Sequence, residues 1–142
     1  MVLFTSLLFW LHLMGLALGG AAAFGNPVVG RRLVATAPEG RPVLFSIAHG
    51  LSTVGKIGMG LLILTGLLMV WLRFGGPAGM TTWFWLKMVL LVLLLADIIY
   101  IAQVEKRAEA GDEKAFRTLA PLGMLGVVLL LGIVLSAVLA FG

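Results

Sequence analysis

Four apolar stretches, roughly 3–24, 51–72, 83–103 and 119–141, constrain this chain more than any other feature in it. Each holds about the 20 residues that a helix needs to cross the hydrocarbon of a bilayer. A segment in lipid must satisfy its backbone hydrogen bonds internally, so each stretch reads as a helix. The joining segments are short, which makes successive helices antiparallel. The predicted fold is an all-α membrane protein, a single domain over 1–142 with four transmembrane helices in an up-down-up-down bundle. Only 11% of the residues are charged, against about 25% in a soluble domain.

The net charge of +4 is segregated along the chain. Arg31, Arg32 and Arg41 fall between the first and second stretches; Lys106, Arg107, Lys114 and Arg117 fall between the third and fourth. The second connection offers only Arg73. Such a bias predicts that segments 25–50 and 104–118 are cytoplasmic, with both termini outside a bacterial inner membrane. It does not point to nucleic acid. Trp71, Phe74, Trp83 and Trp85 flank the second connection as an interfacial aromatic belt would. The absence of cysteine removes disulfides, thiolate metal sites and cysteine nucleophiles. Ala21-Ala22-Ala23 imitates a signal cleavage site, but no basic residue precedes it, so the first stretch reads as a permanent helix.

Five ionisable residues lie inside or at the edge of the apolar stretches: His12, His49, Lys56, Lys87 and Asp97. A charge in a bilayer costs at least a few kcal/mol, so each needs a partner or a function. In the first helix His12, Gly15, Gly19 and Ala23 share one face, and Gly15 and Gly19 form a small-xxx-small pair. Two readings follow. The face is a tight helix contact with His12 hydrogen-bonded across it, or it is a slot for a porphyrin with His12 as iron ligand. In the second helix His49, Ser52, Thr53 and Lys56 form a polar stripe. In the fourth, Gly132, Ser136 and Ala140 form a second small-residue seam.

Depth separates the five. With a rise of about 1.5 Å per residue, His12 and Lys87 fall roughly 5–10 Å below the outer surface. Lys56 and Asp97 fall roughly 5–10 Å above the inner surface, with His49 at that surface. Lys56 and Asp97 are therefore expected to neutralise each other as a structural ion pair, helped by Ser52 or Tyr100. A bis-histidine haem joining His12 to His49 is the alternative pairing, opposed by their difference in depth.

The segment Trp85-Leu86-Lys87-Met88-Val89-Leu90-Leu91-Val92-Leu93-Leu94-Leu95 resembles the W-x-K-x-x-L-x-L-L-L segment of the HemJ-type protoporphyrinogen IX oxidases. Leu11-His12 and the glycine-containing helix after it are similar to that family's first helix. Where the family has a Tyr-His pair in its third helix, this chain has Asp97-Ile98-Ile99-Tyr100. Families similar to the copper-resistance D proteins share the four-helix outline. The resemblance implies haem b, His12 as its axial ligand, Lys87 as a functional lysine near haem or substrate carboxylates, and oxidation of a porphyrinogen.

Three functions are compatible with these residues. The first is a haem-binding membrane oxidoreductase with His12, Gly15, Gly19 and His49 as cofactor residues and Lys87 as the catalytic one. The second is a non-catalytic accessory or assembly subunit, forming a homo-oligomer or larger complex through the Gly15/Gly19 and Gly132/Ser136 faces. The third is a proton or metal translocator. Nucleotide-binding glycine motifs are absent, and hydroxyls such as Ser52 and Thr53 have no base in register. The mixed-charge segment Glu105–Arg117 reads as a solvated cytoplasmic turn of helix.

Overall fold

The computed structural model describes residues 1–141. It contains four long helices: α1 (Val2–Ala35), α2 (Arg41–Phe74), α3 (Thr82–Glu109) and α4 (Glu113–Phe141). All four are long and apolar enough to cross a membrane, and they form the expected up-down-up-down bundle. Packing is closest within the hairpins α1–α2 and α3–α4, which join mainly along α1 and α4. The shared core is built from Met59 on α2, Leu94 on α3 and Leu129, Leu130 and Ile133 on α4, with Leu16 and Ala23 of α1 against it.

The helices overrun the apolar stretches. Segment 25–50, expected as a loop, is helical except at residues 36–40, which hold a bend and a single 3-10 turn. The misleading signal is Gly25-Asn26-Pro27, since proline inside a helix costs about 3 kcal/mol. Tertiary contacts offset that cost. Pro27 lies within α1, and its ring packs where a methyl on Gly123 of α4 would lie 3.4 Å from Cγ. Asn26 Nδ2 donates to Ser52 Oγ at 3.4 Å, and Leu33 is buried beyond it. Segment 104–118 is likewise helical except at residues 110–112. Asp112 caps α4 by accepting from the backbone N–H groups of Lys114 and Ala115 at 3.0 and 3.3 Å. Val104, Ala108 and Ala115 form a small core there with Phe45 and Phe116. A helix of 34 residues extends about 50 Å, against about 30 Å of hydrocarbon. The helical residues outside the apolar stretches lie mainly at the end that carries the basic connections.

Both glycine seams close inside the molecule. A methyl on Gly58 of α2 would lie 2.6 Å from the backbone nitrogen of Gly19 and 2.7 Å from the carbonyl oxygen of Gly15. A methyl on Gly15 would meet Gly58 O at 2.9 Å. On α4, a methyl on Gly132 would lie 3.3 Å from Leu90 Cδ1, and Ser136 is buried. Within the chain, α2 packs on the Gly15/Gly19 face and Leu90 of α3 packs on Gly132. At the opposite end Phe74 stacks on Phe141 at 5.0 Å, and Gly75, with φ at +72°, caps α2 in the left-handed conformation.

Candidate functional site

At the aromatic end, His12 is held by a two-step hydrogen-bond relay. Thr65, on α2, is only 2% exposed, and its hydroxyl donates to Leu61 O at 2.5 Å. With its proton committed, Thr65 Oγ1 can only accept from His12 Nδ1, which lies 2.9 Å away. That assignment puts the proton of the neutral ring on Nδ1 and leaves Nε2 with a free lone pair. Gly66 makes room for the ring, since a methyl there would sit 3.4 Å from His12 Cε1. Thr65 was not legible as a site residue, because a threonine in a helix commonly satisfies itself on the i−4 carbonyl alone.

Lys87 joins this end of the bundle. It is half-buried on α3, its Nζ lies 5.9 Å from the centre of the Phe141 ring, and it is within electrostatic range of His12. The two residues that depth arithmetic places together thus lie at the same end of the bundle, with no direct hydrogen bond between them. Gly15 and Gly19 are not a ligand slot, because the backbone of α2 fills the space beside them.

His49 does not belong with His12. Thr65, the partner of His12, lies about 24 Å further along α2 than His49, so one macrocycle cannot bridge the two rings. His49 instead lies at the basic end, its Nδ1 3.5 Å from Glu105 Oε1 and its Nε2 hydrogen-bonded to Glu109. Glu105 and Glu109 are one helical turn apart on α3, and the reading of this segment as a solvated turn misses them. Glu105 is only 8% exposed. The signal that marks the pair is their i, i+4 spacing at the depth of His49.

Lys56 and Asp97 do not pair. Both carboxylate oxygens of Asp97 are buried without a hydrogen-bond partner, and the residue packs between α3 and α4, where a methyl on Gly126 would lie 3.0 Å from Oδ2. Lys56 is exposed and within electrostatic range of Glu105. The reason is directional. Asp97 faces Gly126 of α4 while Lys56 is exposed on α2, so similar depths of their backbones do not bring their heads together. Ser52 is engaged by Asn26, and Tyr100 is 46% exposed, so neither serves Asp97.

The fold and these groups define a multi-pass α-helical membrane protein with one imidazole built into a buried interhelical contact and another in an acidic cluster at the basic end. Comparison with protein-family models, with curated proteins and with solved structures gives no match to the chain.

Proposed function

We propose that this is a bacterial inner-membrane protein that binds haem b, with His12 Nε2 as the axial ligand to iron. The observation that carries this reading is the Leu61–Thr65–His12 relay. A ligating histidine characteristically donates its other ring N–H to an oxygen acceptor, which fixes the tautomer and orients the lone pair. Thr65 does this for His12. The orientation of His12 supports ligation through Nε2, while α2 packs against the Gly15/Gly19 face. Haem b, when bound, supplies one-electron redox chemistry. The chain supplies the rest: Thr65 holds the imidazole in one orientation, and the Lys87 ammonium provides a counter-charge for a propionate or a substrate carboxylate. A porphyrinogen is the substrate to assay, on the HemJ-type resemblance of the Trp85–Leu95 segment and Leu11-His12.

The test is an absorption spectrum of the detergent-purified protein, oxidised and then dithionite-reduced, with a pyridine haemochrome assay. A b-type reduced α-band that disappears in His12→Ala supports the reading. A flat visible spectrum, in folded protein from cells supplied with ample haem, overturns it. A second reading would then stand, favoured by the His12–Thr65 hydrogen bond, which satisfies the ring with no ligand: His12 is a packing residue, and the chain is an accessory subunit of a larger membrane complex.

The basic end is proposed to face the cytoplasm, on the excess of Arg and Lys in connections 25–50 and 104–118. Because the chain has no cysteine, a Lys106→Cys variant offers one thiol. Labelling by an impermeant maleimide only after the membrane is opened is the expected result.

A further inference from the structure

The basic end holds a constellation that the haem reading does not use. His49 comes from α2 and Glu105 and Glu109 from α3, and one donor atom from each lies within 4.8 Å of the other two. We infer that these three side chains form a site for a divalent transition-metal cation of the zinc or manganese class, independent of His12.

Four features support it. The donor set is one imidazole and two carboxylates, which suits borderline divalent ions, and the lack of thiolate and thioether among the donors argues against copper(I). Zinc bonds of about 2.0–2.2 Å place neighbouring ligand atoms roughly 3.4 Å apart in a tetrahedron, a spacing that side-chain rotation of two glutamates brings within reach. Glu105 is 8% exposed, and its Oε1 is buried without a hydrogen-bond partner while directed at His49. Desolvating a carboxylate oxygen that makes no hydrogen bond is costly, and a cation beside it offsets that cost. Finally, an open cleft of about 590 Å³ gives a hydrated ion access. Its walls include Arg41, Phe45, Ser46, His49, Ala108 and Glu109.

The two carboxylates must balance the ion within a basic surrounding. The basic end carries seven Arg and Lys side chains in its two connecting segments, and a cation held there needs a local excess of negative charge. With His49 neutral, Glu105 and Glu109 supply two negative charges to one doubly charged ion. The neutral ring ligates through the lone pair of one nitrogen and keeps its proton on the other, and two carboxylate oxygens complete the protein ligands. Water completes the coordination. Lys56, within electrostatic range of Glu105, opposes the bound cation and sets an upper limit on its affinity.

The test uses the full chain in lipid nanodiscs, stripped with chelator and titrated with zinc by calorimetry, with bound metal counted after desalting. Wild type is expected to take up one zinc per chain. Glu109→Gln and His49→Gln are expected to weaken binding by at least about tenfold each. Lys56→Gln, outside the ligand set, is expected to tighten it by a few-fold, which a purely structural His–Glu contact would not produce. Circular dichroism confirms that each variant is folded. The exposed Glu109 and Lys56 positions keep the test decisive if the His49 variant misfolds. No zinc uptake by wild type, or equal uptake by wild type and Glu109→Gln, overturns the site. The visible spectrum plays no part in the readout, so the outcome is separate from that of the haem proposal.

Discussion

The two histidines share a residue type and little else. His12 is set within the bundle, reaches a hydroxyl that is 2% exposed, and makes one hydrogen bond of 2.9 Å to a neutral partner. His49 sits at the basic end, its side chain 54% exposed, between two carboxylates. In hydrocarbon a neutral relay is the affordable arrangement, because it satisfies the ring without creating charge. Outside it, water screens and solvates, and a ring between two acids can carry a proton or give it up for a metal. Depth along the helix therefore decides which chemistry each imidazole can have.

That contrast depends on α1 and α2 meeting at a fixed register, so the largest expected effect comes from forcing them apart. Gly58→Leu places a side chain where even Cβ would lie 2.6 Å from Gly19 N. The obstacle is backbone, which cannot swing aside. Overpacking of this kind costs typically 1–3 kcal/mol and more when the backbone must move; about 3 kcal/mol or loss of the folded species is expected. Detergent unfolding followed by circular dichroism measures it. Gly60→Leu, where a Cβ meets nothing within 4 Å, is the matched control and should be close to neutral. Equal tolerance of both would break the view that the seam holds His12 opposite Thr65.

The next effect isolates the relay. Thr65→Val removes the acceptor of His12 Nδ1–H in a similar volume and strands the donor, at a cost of about 1–3 kcal/mol. Thr65→Ser keeps the hydroxyl and should recover most of the loss. If haem binds, Thr65→Val should also shift the reduced spectrum, since it frees the ligand ring to rotate. A valine variant as stable as wild type, with unchanged colour, would reduce the His12–Thr65 contact to an incidental one.

The fold was legible and the pairing of side chains was not, for identifiable reasons. Apolar blocks of about 20 residues admit few solutions in a bilayer, so four helices and their order follow directly. Helix ends did not, because Pro27 and Pro121 both lie inside helices, and what keeps Pro27 there is packing on Gly123, a contact between residues far apart in sequence. Depth arithmetic brought His12 and Lys87 to one level. It failed for Lys56 and Asp97, since a rise per residue locates Cα atoms while the direction each side chain faces separates their charges. Glu105 and Glu109 escaped because a mixed-sign segment usually faces solvent. Here α3 continues as a helix and turns Glu105 inward beside Val104, itself 2% exposed.

Asp97 offers a sharper comparison with the His49 cluster, as an acid in the membrane span with no partner set against two at the basic end with one. Asp97→Asn removes the ionisable group with little change in volume. If neither oxygen has a partner, the variant should be as stable as wild type or more stable, by up to about 1 kcal/mol. A clear loss of stability would show that Asp97 is paired in the membrane, for instance with a cation from another chain, and detergent cross-linking of the variant would then be the following step.

The smallest effect belongs to the exposed member of the acidic cluster. In chelator-treated protein Glu109→Gln breaks a contact whose two side chains are 54% and 35% exposed. Exposed ion pairs contribute about 0–1 kcal/mol, because water already solvates both partners, so a change near the lower half of that range is expected. With zinc present the same substitution should cost more, since a ligand that binds only the folded state adds its binding free energy to stability. The difference between the two conditions is the quantity that matters. If Glu109→Gln lowers stability equally with chelator and with zinc, then His49 at the basic end is held by a contact as metal-independent as that of His12 at the other, and the two imidazoles differ only in their exposure to water.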